Sequence, residues 1–157
     1  TMNAANPAGV GSLGWSYPQP LRTYLRGEFT ASLAAAVRQS IMTVAKSQQL
    51  AKGGLQRSAE TVFLPRMYEV FGTAFADHNG SEGIADAFQY QYFAQSGTKS
   101  INAAAMKPYN GLMNSWWLRS AYSSGTVDWN FGLVSDKGAR WAGGTYYDFG
   151  VVPCFAL

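Results

Sequence analysis

The first half of the chain places its apolar residues at helical spacing. Leu21, Tyr24 and Leu25 share one face of a predicted helix, and Gly27 is expected to end it. The Gly- and Pro-rich residues 1–20 predict an irregular N-terminal arm ahead of one domain at 21–157. Apolar positions then recur at i, i+4, i+8 and i+11 and predict a second, amphipathic helix: Leu33, Val37, Ile41 and Val44.

The middle of the chain alternates short ordered runs with loops. Residues 61–64 are β-branched and apolar and are followed by a proline, so they predict a short buried strand. Residues 67–71 predict one helical turn that Gly72 ends, and residues 84–93 predict an aromatic-rich helical stretch. The small and polar residues of 97–115 predict a long loop.

The last third of the chain changes to a strand-and-turn pattern. Residues 116–118, 131–134 and 151–157 are compact apolar runs, and residues 135–138 have the composition of a hairpin turn. Short strands after a helical first half predict an α+β fold with an antiparallel sheet.

Residues 121–149 combine aromatic side chains with small polar ones. Tyrosine and tryptophan offer large contact areas with few rotamers to freeze, and small polar residues add adaptable hydrogen bonds, as in antibody binding surfaces. The stretch therefore predicts a ligand-binding region, with these candidate residues: Tyr122, Ser124, Thr126, Asp128, Asn130, Trp141, Thr145, Tyr146, Tyr147 and Asp148.

Burial is the competing explanation for these aromatic residues. Trp116, Trp117, Phe131 and Phe155 stand in apolar runs and are expected in the core. The remaining rings are flanked by glycine, serine and aspartate, so exposure and burial are equally open for them: Tyr122, Trp141, Tyr146 and Tyr147.

Composition narrows the class of protein. Of the 157 residues, 47% are hydrophobic and 13% charged, which excludes a disordered chain and favours a domain that belongs to a larger assembly or a homo-oligomer. The 12 basic residues are scattered rather than gathered into a stripe, so nucleic acid is not an expected partner. No apolar run approaches the roughly 20 residues of a membrane span, so no membrane insertion is expected.

The reactive residues do not form a recognisable catalytic set. His78 is the one histidine, and it stands in a polar loop sequence. Cys154, the one cysteine, stands in an apolar run and is expected to be an inert thiol. Arg119 is expected to bond carbonyl groups inside the fold. We therefore expect no enzyme activity and no cofactor. We also expect no metal, since Asp128 and Asn130 alone make a poor calcium ligand set.

Six blocks of the sequence, taken in order, resemble one protein family. They are residues 21–25 (LRTYL), the helix after them, residues 61–64 (TVFL), 116–120 (WWLRS), 134–138 (VSDKG) and 150–155 (GVVPCF). They are similar to a bacterial and phage domain of unassigned function with the hallmarks LRTYLNG, VFLLS, WWLRSP, V.SDG and GVRPALWL. The resemblance runs from about Trp15 to the last residue. Val152 stands where the family has arginine, a change that would remove a buried ion pair, and Ala121 stands where it often has proline.

The resemblance implies a C-type-lectin-like fold, in which two helices flank a twisted antiparallel sheet. Related domains include the variable proteins of diversity-generating retroelements, which bind receptors through a diversified C-terminal segment. The resemblance thus implies a non-enzymatic display domain on a phage virion or microbial cell surface, with a protein or glycan receptor on a cell surface as its partner. The alternative is a structural or decoration domain of a virion or surface protein without a diversified ligand.

Overall fold

The computed structural model describes residues 20–49, 55–73, 88–95, 100–122 and 130–157. Over these residues the chain has a mixed α+β fold with several small antiparallel sheets and one longer helical segment. The predicted α+β class is therefore confirmed. Most of the predicted N-terminal arm lies outside the described residues.

The helical elements are short apart from the first segment. In chain order they are α1 (Pro20–Tyr24), a π-helical turn (Leu25–Phe29), α2 (Thr30–Ser32), α3 (Ala35–Ser40), α4 (Met67–Phe71), α5 (Gln91–Ala94) and a 3-10 turn (Ala103–Ala105). The strands are β1 (Val44–Gln49), β2 (Leu55–Glu60), β3 (Lys107–Tyr109), β4 (Leu112–Asn114), β5 (Trp116–Tyr122), β6 (Asn130–Val134) and β7 (Arg140–Gly144). Strands pair as β1 with β2, β3 with β4, and β5–β6–β7, all antiparallel.

Two apolar clusters lie on either side of strand β5. The first core consists of Leu21, Leu25, Val62, Leu64, Trp117, Phe131 and Leu133. The second core consists of Met67, Val70, Phe71, Phe93, Ala105, Trp116, Leu118 and Val134. Successive strand residues point to opposite faces, so Trp116 and Trp117 anchor β5 in both cores at once. The expected burial of Trp116, Trp117 and Phe131 is confirmed, whereas Phe155 is only partly buried.

The first helical segment continues through Gly27, so the prediction that this residue ends the helix is wrong. A glycine inside a helix costs only about 1 kcal/mol relative to alanine. Burial of Leu21 and Leu25 in the first core offsets that cost. The segment ends at Leu33, where the backbone becomes extended (ψ 148°).

The predicted helix over residues 33–44 is also wrong in half of its length. Only α3 (Ala35–Ser40) is helical, and none of its residues is buried. Ile41 is extended, and strand β1 begins at Val44 in register with Glu60 of β2. Pairing with the next strand along the chain has therefore overridden the local helical spacing.

Residues 100–115 are structured rather than one long loop. Strands β3 and β4 form a hairpin whose two turn residues, Asn110 and Gly111, both have positive φ (50° and 79°). This is the geometry of a type I′ turn, which an Asn-Gly pair favours. The Asn110-Gly111 pair is itself a sequence signal for this turn. The prediction of a loop instead followed the small and polar residues around it.

The predictions for other short elements are mixed. The turn Met67–Phe71 and its end at Gly72 (φ 64°) are confirmed. The predicted strands at 61–64 and 151–157 are reduced to isolated bridges, among them Phe63 with Cys154. Of the predicted helix at 84–93, residues 84–87 lie outside the described residues, and α5 begins only at Gln91.

Candidate ligand-binding face

Strand β5 is fixed by a buried ion pair and a helix cap. Arg119 donates two hydrogen bonds to Glu69 of α4, from Nη1 to Oε2 at 2.9 Å and from Nη2 to Oε1 at 3.0 Å. Arg119 Nη1 also donates to the Leu64 carbonyl at 3.2 Å, which confirms the expected bonding to a carbonyl inside the fold. The hydroxyl of Ser120 accepts a hydrogen bond from the Met67 amide (2.7 Å) at the free end of α4. These bonds make β5 a rigid support for the strands beside it.

A row of stacked rings connects the first core to the surface. The buried Trp117 ring contacts Phe149 edge to face, with the ring centres 4.9 Å apart. Phe149 is 5.7 Å from Tyr147, whose ring is 4.4 Å from that of Tyr146. Phe149 fits above Gly143 of β7, where an added Cβ would come within 3.3 Å of its ring. We call these four rings the aromatic ladder: Trp117, Phe149, Tyr147 and Tyr146.

The outer end of the ladder is exposed to solvent. Tyr146 and Tyr147 are 49% and 48% exposed. Trp141 of β7 is 67% exposed, and it stands in register with Leu133 of β6. Residues two apart in a strand share a face, so Trp141 lies on the same side of β7 as the glycine beneath Phe149. Three exposed rings thus stand on or next to one edge strand.

The other predicted site residues have varied positions. Tyr122 and Asn130 are a half-buried cross-strand pair of β5 and β6, and Asp148 is exposed beside the ladder. Thr145 is fully buried, so the prediction that it contributes to the face is wrong. Its place in the turn after β7 directs its side chain inward while the two tyrosines that follow point outward. The remaining three residues lie outside the described residues: Ser124, Thr126 and Asp128.

The two exposed tyrosines act as one polar group. The hydrogen bond between their hydroxyls raises the pKa of Tyr146, with a smaller contribution from the charge that Tyr147 would carry. The raised pKa keeps the Tyr146 hydroxyl protonated near pH 7. An aromatic surface that carries hydroxyl groups can stack on a sugar or pack against a protein side chain.

A cavity on another part of the molecule was missed by sequence reasoning. It encloses about 600 Å³, and six rings line it together with two lysines, Lys46 and Lys107. The rings are those of Phe63, Phe88, Tyr90, Tyr92, Phe93 and Phe155. Its walls come from β1, β3, α5 and the C-terminal segment, so no single stretch of sequence contains the pattern.

Cys154 and Glu60 carry groups that can take part in catalysis, and both are held by the surrounding fold. Burial raises the pKa of the Cys154 thiol to about 11, which keeps it protonated and unreactive near neutral pH. The Glu60 carboxylate accepts a hydrogen bond from Arg22 Nη2 at 2.7 Å. His78 lies outside the described residues.

Within the described residues, no three histidine, cysteine or acidic side chains group closely enough to hold a metal ion. No helix in the same ranges has the length and apolar character needed to cross a membrane.

Comparisons with known proteins give one result. Neither the curated proteins nor the solved structures contain a match to this chain. One family matches residues 5–157, nearly the whole sequence, and its description is "Domain of unknown function (DUF6273)". The chain belongs to this family.

Proposed function

We propose that the chain is a non-enzymatic ligand-binding domain with a C-type-lectin-like fold. The observation that carries the proposal is the exposure of Trp141, Tyr146 and Tyr147 around edge strand β7, in a sheet that is anchored through β5. Monomeric proteins rarely expose several large rings together unless the patch is a binding site. Tyrosine and tryptophan are also the residues most enriched in interaction hot spots.

The ligand of this face is a protein or glycan receptor on a cell surface. Hydroxyl groups on flat rings suit both sugar stacking and protein contact, and the Asp148 side chain is exposed beside them. The proposed location is a phage virion or microbial cell surface, and the proposed class is a variable protein of a diversity-generating retroelement. The resemblance of the WWLRS block and the closing segment supports this class.

The ladder geometry favours a display role over a purely structural one. A decoration domain needs no rings in solvent, whereas the outer tyrosines here are about half exposed and stand on buried rings. The structural alternative makes a different prediction at the gene level. Related copies would then vary equally inside and outside residues 121–149, instead of varying mainly inside.

A binding screen on a glycan array and on host cells tests the proposal. The double variant Tyr146→Ala/Tyr147→Ala should lose binding by about 100-fold, since each lost hot-spot ring costs about 1–2 kcal/mol. Tyr109→Ala is the matched control, because Tyr109 is 71% exposed on the β3–β4 hairpin and is not one of the stacked rings of the ladder. Equal loss in both variants, or no loss in the double variant, would refute the proposed face.

A further inference from the structure

We infer that the cavity between β1, β3, α5 and the C-terminal segment binds a small organic anion with a flat apolar body. Its volume of about 600 Å³ lies within the range of small-molecule sites, about 300–1,000 Å³. It shares no lining residue with the aromatic ladder or with Trp141. The cavity is therefore a separate site from the proposed receptor-binding face.

The rings on the cavity wall determine the shape of the ligand. Phe63, Tyr90 and Phe93 are largely packed into the fold and give fixed flat surfaces, whereas Phe88 and Tyr92 are each 60% exposed at the mouth. Phe88 and Tyr90 stack edge to face with their ring centres 5.6 Å apart. A planar apolar group can pack between such rings with little loss of side-chain freedom.

The two lysines determine the charge of the ligand. Lys46 Nζ stands 4.1 Å above the centre of the Phe63 ring and donates to the Tyr90 hydroxyl at 2.9 Å. Lys107 Nζ lies 4.7 Å from the centre of the Tyr92 ring and donates to its hydroxyl at 3.2 Å. Both ammonium groups are therefore held at the cavity by aromatic side chains. Their two positive charges disfavour a cationic ligand.

Among the described residues, the charge balance around the cavity is positive. Glu69, behind the wall, is shared between Lys46 at 3.4 Å and the guanidinium of Arg119 at 2.9 Å. One carboxylate against two cations leaves one positive charge, and Lys107 adds a second. Lys107 forms no ion pair with any carboxylate of the described residues. Burial lowers the pKa of Lys46, and the nearby Glu69 opposes that shift, so an added anion would relieve the unfavourable burial of this ammonium.

A matched series of three probes tests the charge preference. Phenylacetate, phenylacetamide and phenethylamine share one ring but carry a negative, a neutral and a positive group. Isothermal titration calorimetry should give phenylacetate an affinity about tenfold higher than phenylacetamide, with phenethylamine weaker still. Equal affinities for the acid and the amide, or no binding of any probe at millimolar concentration, would overturn the inference.

Two variants with partly exposed side chains test the residues without disturbing the fold. Lys107→Gln should lower phenylacetate affinity about fivefold and leave phenylacetamide unchanged. Phe88→Ala should weaken both probes, because it removes one ring of the wall. Lys137→Gln, in the exposed turn after β6, removes the same charge elsewhere and should change neither. An unchanged phenylacetate affinity in Lys107→Gln would overturn the inference.

The ladder variant distinguishes this inference from the proposed function. Tyr146→Ala/Tyr147→Ala should lose receptor binding and keep its full affinity for phenylacetate. Conversely, Lys107→Gln should keep receptor binding. If the ladder variant also loses phenylacetate, the small anion binds at the ladder and the cavity assignment is wrong.

Discussion

Replacing Glu69 by glutamine tests the buried network that anchors strand β5. The side chains of Arg119 and Glu69 are 1% and 4% exposed, and that of Lys46 is 12% exposed. The substitution keeps the shape of the side chain but removes the negative charge that Arg119 and Lys46 both face. It also turns an amide N–H toward the guanidinium donors, so Arg119 loses at least one of its two charge-assisted bonds.

The expected cost follows from the burial. Breaking a buried ion pair by removing one partner costs about 3–5 kcal/mol, and the weaker contact with Lys46 at 3.4 Å places the estimate at about 4 kcal/mol. With a urea dependence of about 2 kcal/mol/M for a domain of this size, the unfolding midpoint should fall by about 2 M. The fluorescence of the buried Trp116 and Trp117 reports the transition.

A double-mutant cycle shows whether the loss belongs to the pair. Arg119→Met alone leaves Glu69 without its two strongest donors and should cost about 3–4 kcal/mol. The double variant should cost about 3 kcal/mol less than the sum of the two single variants. A midpoint shift below about 0.5 M for Glu69→Gln, or additive losses in the cycle, would refute the reasoning.

Three further predictions concern a turn, a thiol and the ladder. Gly138→Ala should destabilise the fold by about 2–4 kcal/mol in urea unfolding and Gly111→Ala by about 1 kcal/mol. Both glycines have positive φ, but a Cβ at Gly138 would meet a backbone carbonyl oxygen at 2.5 Å, whereas Gly111 has nothing within 4 Å; equal losses would contradict this. Cys154 has its pKa raised from 9.0 to about 11, so its stabilising contribution is complete below pH 9 and about 2–3 kcal/mol of it is lost as pH rises through 11. Cys154→Ala should therefore flatten the decline in unfolding free energy between pH 9 and 11, and an unchanged decline would exclude the thiol as its cause. Tyr147→Phe should lower the pKa of Tyr146 toward its ordinary value in a tyrosinate absorbance titration, because it removes a hydroxyl hydrogen bond; no shift would mean that the two hydroxyls are not bonded.

The sequence predicts well where burial and local chemistry agree. Strand β5 contains the run Trp-Trp-Leu, which is apolar enough to be buried on both faces, and it is found as expected. The turn at residues 135–138 contains Gly138 at φ 73°, as its composition predicts. Glycine and polar residues flank Trp141 and the tyrosine pair, so the sequence left exposure and burial equally open for these rings. Only the fold decides between the two.

Strand pairing and the packing of separate segments explain what the sequence could not reveal. Strands β1 and β2 are polar and lack strict alternation, so nothing local distinguishes them from loop or helix. They pair across a short connection, with Gln49 opposite Leu55 and Val44 opposite Glu60, and their composition gives no sign of this pairing. The buried Thr145 and the lysine-containing cavity depend likewise on segments brought together by folding.

The aromatic ladder sets a gradient in how much sequence change each position can accept. Trp117 fills the first core, and truncating it would leave a void costing about 3–5 kcal/mol. Phe149 contributes both to the core and to the support of the tyrosines, and Tyr146 at the outer end is 49% exposed and packs against Tyr147 and Gly144. Replacement should therefore become steadily cheaper from Trp117 outward. A binding surface built this way can acquire new specificity at its tip while the fold beneath it stays the same.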